Sequence, residues 1–85
     1  MMNMPFPVID LLLTGRNIQL LREQRGLTVR QLQQLLGFAT PQAIYKWQHG
    51  DTLPSIDNLV ALSAILGVSI DAILITKAIC SCKTL

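Results

Sequence analysis

The segment Leu27–Gly50, LTVRQLQQLLGFATPQAIYKWQHG, decides how this chain is read. Thr28 followed by Gln31 is a capping-box signature, in which hydroxyl and side-chain amide each satisfy a backbone N–H at a helix start. Leu32, Leu35 and Leu36 then recur at helical spacing, and Gly37 can take the left-handed conformation that ends a helix. Thr40 and Pro41 open another, with Thr40 as N-cap and Pro41 in the first helical position, where a missing N–H costs nothing. Ile44 and Trp47 give this second helix its inner face, and Gly50 closes it. Helices joined by a link of only two or three residues cannot lie antiparallel along their lengths, so they must cross steeply.

The flanking sequence supplies a core for this pair. Upstream, a helix beginning at Thr14 or Gly15 and running to Arg25 turns Ile18 and Leu21 inward, leaves Leu20 outside and stops at Gly26. Downstream, Ser55 caps a fourth helix after the turn Asp51-Thr52-Leu53-Pro54. Ile56, Leu59, Leu62, Ile65 and Leu66 are expected on its buried face, with Gly67 as terminator. Ser69 caps a fifth, facing Ile70, Ile73 and Leu74 inward. No segment alternates with period two for long enough to predict a strand. The expected fold is all-α, five short helices over residues 15–75. Residues 1–14 pack Phe6, Val8, Ile9 and some leucines over one end, and residues 76–85 form a tail.

From about Gly15 to Leu74 the chain resembles the Cro/CI-repressor type (xenobiotic-response-element) family of helix-turn-helix proteins. The resemblance is carried by Leu27-Thr28, Leu32, Leu36-Gly37, Ile44, Lys46-Trp47, Gly50, Pro54-Ser55, Asn58-Leu59, Leu62 and Leu66-Gly67-Val68-Ser69. No one of these is specific, but their order and spacing together span most of the chain. The resemblance implies a five-helix repressor-like DNA-binding domain. It also implies sequence-specific binding of double-stranded DNA as a dimer, in transcriptional control, in a bacterium or phage. Three residues or features depart from the family pattern. The turn Gly37-Phe38-Ala39-Thr40-Pro41 is longer by one residue, which shifts transferred base-contacting positions by as much. Gln33 stands where the family has Ala, and the longer turn could let the helices separate enough to admit its amide. Val29 stands where many members place a DNA-contacting Gln.

Side-chain chemistry ranks the contacts. Gln42, in the first turn of the helix opened by Thr40, can bond adenine N6 and N7 together. Lys46, one turn on, reaches guanine acceptors or a phosphate, and Tyr45 projects away from the Ile44/Trp47 face toward a phosphate or a thymine methyl. Trp47 belongs to the core, with its indole N–H near a polar partner. Thr40 and the amides beside it suit the DNA backbone, and His49 faces phosphate or solvent. By the family's docking geometry, Arg16, Thr28 and Arg30 also point at phosphates.

The 85 residues suffice for one domain with a small core, and with 51% hydrophobic residues the chain is not disordered. The net charge of +2 is unevenly spread. Arg16, Arg22, Arg25, Arg30 and Lys46 stand against Glu23 alone between Gly15 and Gly50, while Asp51, Asp57 and Asp71 follow with no basic residue before Lys77. Such a concentration is the footprint of phosphate binding; alone, it is also what a solvated helix face looks like.

No nucleophile–base–acid set, Gly-rich phosphate loop or carboxylate pair can be assembled, so neither enzyme activity, nor a cofactor, nor a small-molecule ligand is expected. Cys80 and Cys82, with His49 far off, do not make a four-ligand zinc site and are expected as free thiols. No basic residue precedes Arg16 and Pro5 and Pro7 break the early apolar stretch, so no secretory signal is expected there. No apolar run approaches the ~20 residues of a membrane span, and the expected location is the cytoplasm. The competing reading is an antitoxin-like or adaptor module that buries a protein partner, supported by Leu20 and by Ile75, Ala78 and Ile79 in the tail. The plainer account of those residues is a homodimer interface.

Overall fold

Asp10 opens the first helix: its Oδ1 accepts from Leu13 N at 2.9 Å. The computed structural model of the protein describes residues 5–80. Among them are α1 (Leu11–Gln24), α2 (Val29–Leu36), α3 (Gln42–His49), α4 (Ile56–Leu66) and α5 (Ile70–Ile73), flanked by β1 (Pro5–Ile9) and β2 (Thr76–Cys80). The five-helix fold is the one expected, and the two strands are an addition to it.

The expected caps at Thr28, Ser55 and Ser69 are formed. Thr28 Oγ1 accepts from Gln31 N at 3.1 Å while Thr28 N donates to Gln31 Oε1 at 2.8 Å. Ser55 and Ser69 accept from Asn58 N and Ala72 N, each at 3.2 Å. The start of α1 differs from expectation, at Leu11 rather than Thr14 or Gly15. Thr14 is buried inside the helix, where its hydroxyl donates to Ile75 O (3.2 Å) and accepts from Ile75 N (2.9 Å). A hydroxyl engaged by a distant strand of chain leaves capping to Asp10, the next polar side chain upstream.

The core comprises Ile18, Leu32, Ile44, Trp47, Leu59, Leu62, Leu66 and Ile73, with Leu21, Leu36, Phe38, Ile65, Ile70 and Leu74 packed around it. One expected inward position, Ile56, fails. Ile56 is 74% exposed and Leu35 58% exposed. At 3.6 residues per turn, Ile56 lies about 90° from the centre of the Leu59–Leu62–Leu66 stripe, and Leu35 as far from that of Val29–Leu32–Leu36. Spacing alone tolerates Ile56 in the buried stripe, as it tolerates Leu35 in the helical pattern of α2.

β1 and β2 form an antiparallel ribbon, in register from Pro5↔Cys80 to Ile9↔Thr76. Residues 5–9 pair with residues 76–80, and Leu11–Thr14 belong to α1. The ribbon is anchored where it meets the helices. Asp10 N donates to Ile75 O at 2.8 Å, Lys77 Nζ lies 3.9 Å from Asp10 Oδ2, and Asn17 Nδ2 donates to Ala72 O (2.7 Å) and Ile73 O (3.0 Å) at the end of α5. Among its described side chains Pro7, Ile9, Thr76, Lys77 and Ala78 are exposed, so no buried face there imposes a period-two pattern. The expectations placed on the side chains of Phe6, Ile79 and Cys80, and on Cys82, lie outside what is described.

Candidate nucleic-acid interface

The position of α3 is set by its contact with α1. At Gly15 the two backbones touch: a Cβ there would overlap the Trp47 carbonyl oxygen and lie 2.8 Å from that of Gln48. Two turns farther along α1, Arg22 is only 9% exposed. It donates through Nε to Gln48 Oε1 (3.1 Å) and through Nη1 to Leu27 O (2.7 Å). The guanidinium thus ties α1, the loop before α2 and the end of α3 together. Phe38 meets Trp47 edge to face, with ring centroids 5.8 Å apart and planes at 68°. With Ile44, Trp47 and Gln48 buried, the inner face of α3 is fully engaged.

The opposite face carries Gln42, Tyr45, Lys46 and His49, all exposed, at the i, i+3, i+4, i+7 spacing of one helical stripe. The rings of Tyr45 and His49 stack 6.4 Å apart at 25°. Tyr45 and Arg30 share a shallow cleft between α2 and α3, completed by Val29, Gln33 and Pro41. Three of the expected base-contacting side chains and two of the expected phosphate ligands are thus grouped around one helix and one cleft. Thr28, at the start of α2, and Arg16, next to the Gly15 contact on α1, are exposed at separate helix positions. Among the described residues no hydrogen bond joins them to the stripe.

The turn departs from the sequence reading. Five residues, Gly37–Pro41, separate α2 from α3 rather than two or three. Pro41 (φ −86°, ψ 4°) is the residue preceding α3, and no side chain caps that helix; Thr40 is exposed and makes no cap. The helix therefore starts at Gln42, one residue later than expected. The amides of that first turn are left open to an acceptor from outside. Gly37 takes φ +74°, and Gln33 holds the residue after it twice: Phe38 N donates to Gln33 O at 3.0 Å, and Gln33 Nε2 donates to Phe38 O at 3.2 Å. The amide at position 33 therefore stabilises the longer turn. Gln33→Ala is expected to lower stability by about 1 kcal/mol, the net worth of one hydrogen bond, measured by urea unfolding.

Charge needs one correction. Arg22 was counted with the phosphate-seeking cations, yet its guanidinium is turned inward and bonded within the protein. The exposed cations of this half are Arg16, Arg25, Arg30 and Lys46. Of these, Arg25 leans over the end of α4, with Nη1 3.6 Å from where a Cβ on Gly67 would be. The periodicity of α1 contained a signal for Arg22, which falls on the same face as Ile18. Gln48, beside Trp47 on the inner face of α3, was the matching signal.

Among the described residues no helix is long and apolar enough to cross a membrane, and no group of three or more His, Cys, Asp and Glu could hold a metal ion.

Known proteins place this geometry. No curated protein matches the chain in sequence. Among solved structures it is similar to the restriction-modification controller protein C.AhdI from Aeromonas hydrophila, at 23% identity and TM-score 0.68 over 75% of this chain and 96% of that one. It is similar to the DNA-binding domain of BldD from S. venezulae, at 18% identity and TM-score 0.66 over 78% of this chain and 97% of that one. It also resembles part of hydroxypropylphosphonic acid epoxidase from S. wedmorenis, at 25% identity and TM-score 0.69, but spans only 35% of that chain. A family model described as helix-turn-helix matches residues 18–73, which include α2, α3 and the core that supports them. The chain belongs to the helix-turn-helix family of DNA-binding regulators, of the Cro/CI type.

Proposed function

We propose that the protein is a transcriptional repressor that binds a specific duplex sequence as a homodimer, with α3 in the major groove. The observation that carries this reading is the exposed stripe Gln42–Tyr45–Lys46–His49 on a helix whose other face is locked to α1. In this reading Gln42, Tyr45 and Lys46 contact base edges. Arg16, Thr28, Arg30, Thr40 and His49 hold phosphates, and the uncapped amides at the start of α3 donate to one more. The cleft between Arg30 and Tyr45 lets one side chain grip the backbone while its neighbour meets a base. Its location would be the cytoplasm of a bacterium or the host cell of a phage. A protein-partner role, antitoxin-like or adaptor, is the second reading, favoured by the exposed Ile56 and Val60 on α4.

Selection of bound sequences from random duplex DNA tests the proposal and reports operator symmetry. On the selected site Gln42→Ala should cost roughly 1–3 kcal/mol and on random DNA little, because a base contact carries sequence information. Arg16→Ala should weaken both alike and reduce the log–log salt slope by about 0.9, the loss of one phosphate contact. Equal losses on both DNAs for Gln42→Ala would move readout to Thr40 or Tyr45. No retention of any duplex at low salt would favour the protein-partner reading.

A further inference from the structure

The ribbon is the part of the molecule that DNA binding leaves unused. Its strands pair with each other and make little contact with the helices, in a molecule 50 Å long and 22 by 21 Å across. Two strands alone are marginal in water, and each has an outer edge. Those edges are not equivalent. The bond from Asp10 N to Ile75 O continues the register beyond Ile9↔Thr76 and sets its phase. Along an antiparallel pair, residues bond alternately inward and outward. Counting from Asp10, the inward positions are Val8 and Phe6 on β1, facing Lys77 and Ile79 on β2. Pro5, Pro7 and Ile9 are then outward on β1, and Thr76, Ala78 and Cys80 outward on β2. Proline has no N–H, so two of the three donors on the outer edge of β1 are missing, and that edge resists further pairing. The edge of β2 keeps every donor and acceptor.

We propose that the edge of β2 is where a second copy of this chain pairs, β2 against β2 and antiparallel, giving a four-stranded sheet in the order β1-β2-β2-β1. The outward set is symmetric about Ala78, so Ala78 meets the partner's Ala78 and Thr76 meets the partner's Cys80. The same bonds form in both directions, as a two-fold interface requires. In this register Lys77 stands opposite the partner's Ile79, so like charges do not face each other. The foot of the ribbon adds apolar surface for a second copy to cover: Ile9, Leu11, Leu12 and Leu13 are each 39–48% exposed. The proposal rests on the homodimeric reading above and names its interface.

Sedimentation equilibrium without DNA tests it. Ala78→Pro removes an outward N–H at the symmetry centre and leaves the inward bonds of Lys77 and Ile79 in place. It should raise the dimer dissociation constant by about tenfold or more while helix content stays unchanged. Lys77→Pro, which removes an inward N–H, should disrupt the ribbon itself. Should Ala78→Pro fold poorly, Ala78→Cys with Cys80→Ser and Cys82→Ser gives an independent test. Paired positions about 5.5 Å apart at Cα lie within disulfide range, so mild oxidation should cross-link the dimer. An Ala78→Pro protein as dimeric as its parent, an Ala78→Cys protein that does not cross-link, or a parent that stays monomeric free and on DNA would each overturn the proposal. Dissociation by Ile56→Asp and Val60→Asp while Ala78→Pro stays dimeric would move the interface to α4. A dimer that binds no duplex would overturn the DNA reading and leave the strand pairing standing.

Discussion

Gly15→Ala is expected to leave the protein unfolded, or to lower its stability by more than about 4 kcal/mol, a range few single substitutions reach. The added Cβ would overlap the Trp47 carbonyl oxygen and press on that of Gln48. Both obstacles are backbone, inside a helix, and cannot swing aside as a side chain would. Relief requires α1 and α3 to move apart, which opens the core around Ile18, Ile44 and Trp47 and stretches the Arg22–Gln48 bond. Gly26→Ala is the control. There φ is +72° but nothing lies within 4 Å of the new Cβ, so only backbone strain of about 1 kcal/mol is expected. Urea unfolding of the two variants should separate them widely. Similar small losses would mean that α1 and α3 are not in backbone contact.

Arg22→Ala should cost about 3 kcal/mol of stability without changing the salt dependence of DNA binding. The guanidinium is buried, with two hydrogen bonds inside the protein and Glu23 Oε2 3.8 Å from Nη2; removing it strands Gln48 Oε1 and Leu27 O and leaves a gap between three elements. Arg22→Lys should recover little, because one ammonium cannot span the forked geometry that joins the loop to α3. The contrast with Arg16→Ala is the useful one. Arg16 is exposed and should alter the salt slope with little effect on folding. If Arg22→Ala is stable and reduces the slope, the side chain turns outward in solution and joins the cations that serve the DNA.

The helices themselves are local features, and most of them were legible from neighbouring residues. The Thr28–Gln31 box, the serine caps of α4 and α5 and the glycine after α2 act within one turn of chain, so adjacent residues suffice to predict them. The Ile44/Trp47 face of α3, and with it the exposed stripe on the other side, follows from helical periodicity alone. Family membership was readable for the same reason, since its marks are caps, turns and core positions in fixed order.

What the tertiary structure decided involves groups far apart in the chain that compete for the same partner. Thr14 could cap a helix by sequence, but Ile75 engages its hydroxyl and Asp10 takes over the cap. Arg22 carries a charge suited to phosphate, yet Gln48 and the Leu27 carbonyl hold it inside. Ile56 fits an apolar stripe by spacing, and only the placement of α4 against the rest leaves it in solvent. The ribbon is the extreme case. Pro5-Phe6-Pro7 has no strand pattern, and its pairing depends on residues near the other end of the chain, brought close by the fold between them. Local capping and periodicity act over a few residues and can be read one turn at a time; the destination of a long-range hydrogen bond exists only once the chain has closed on itself.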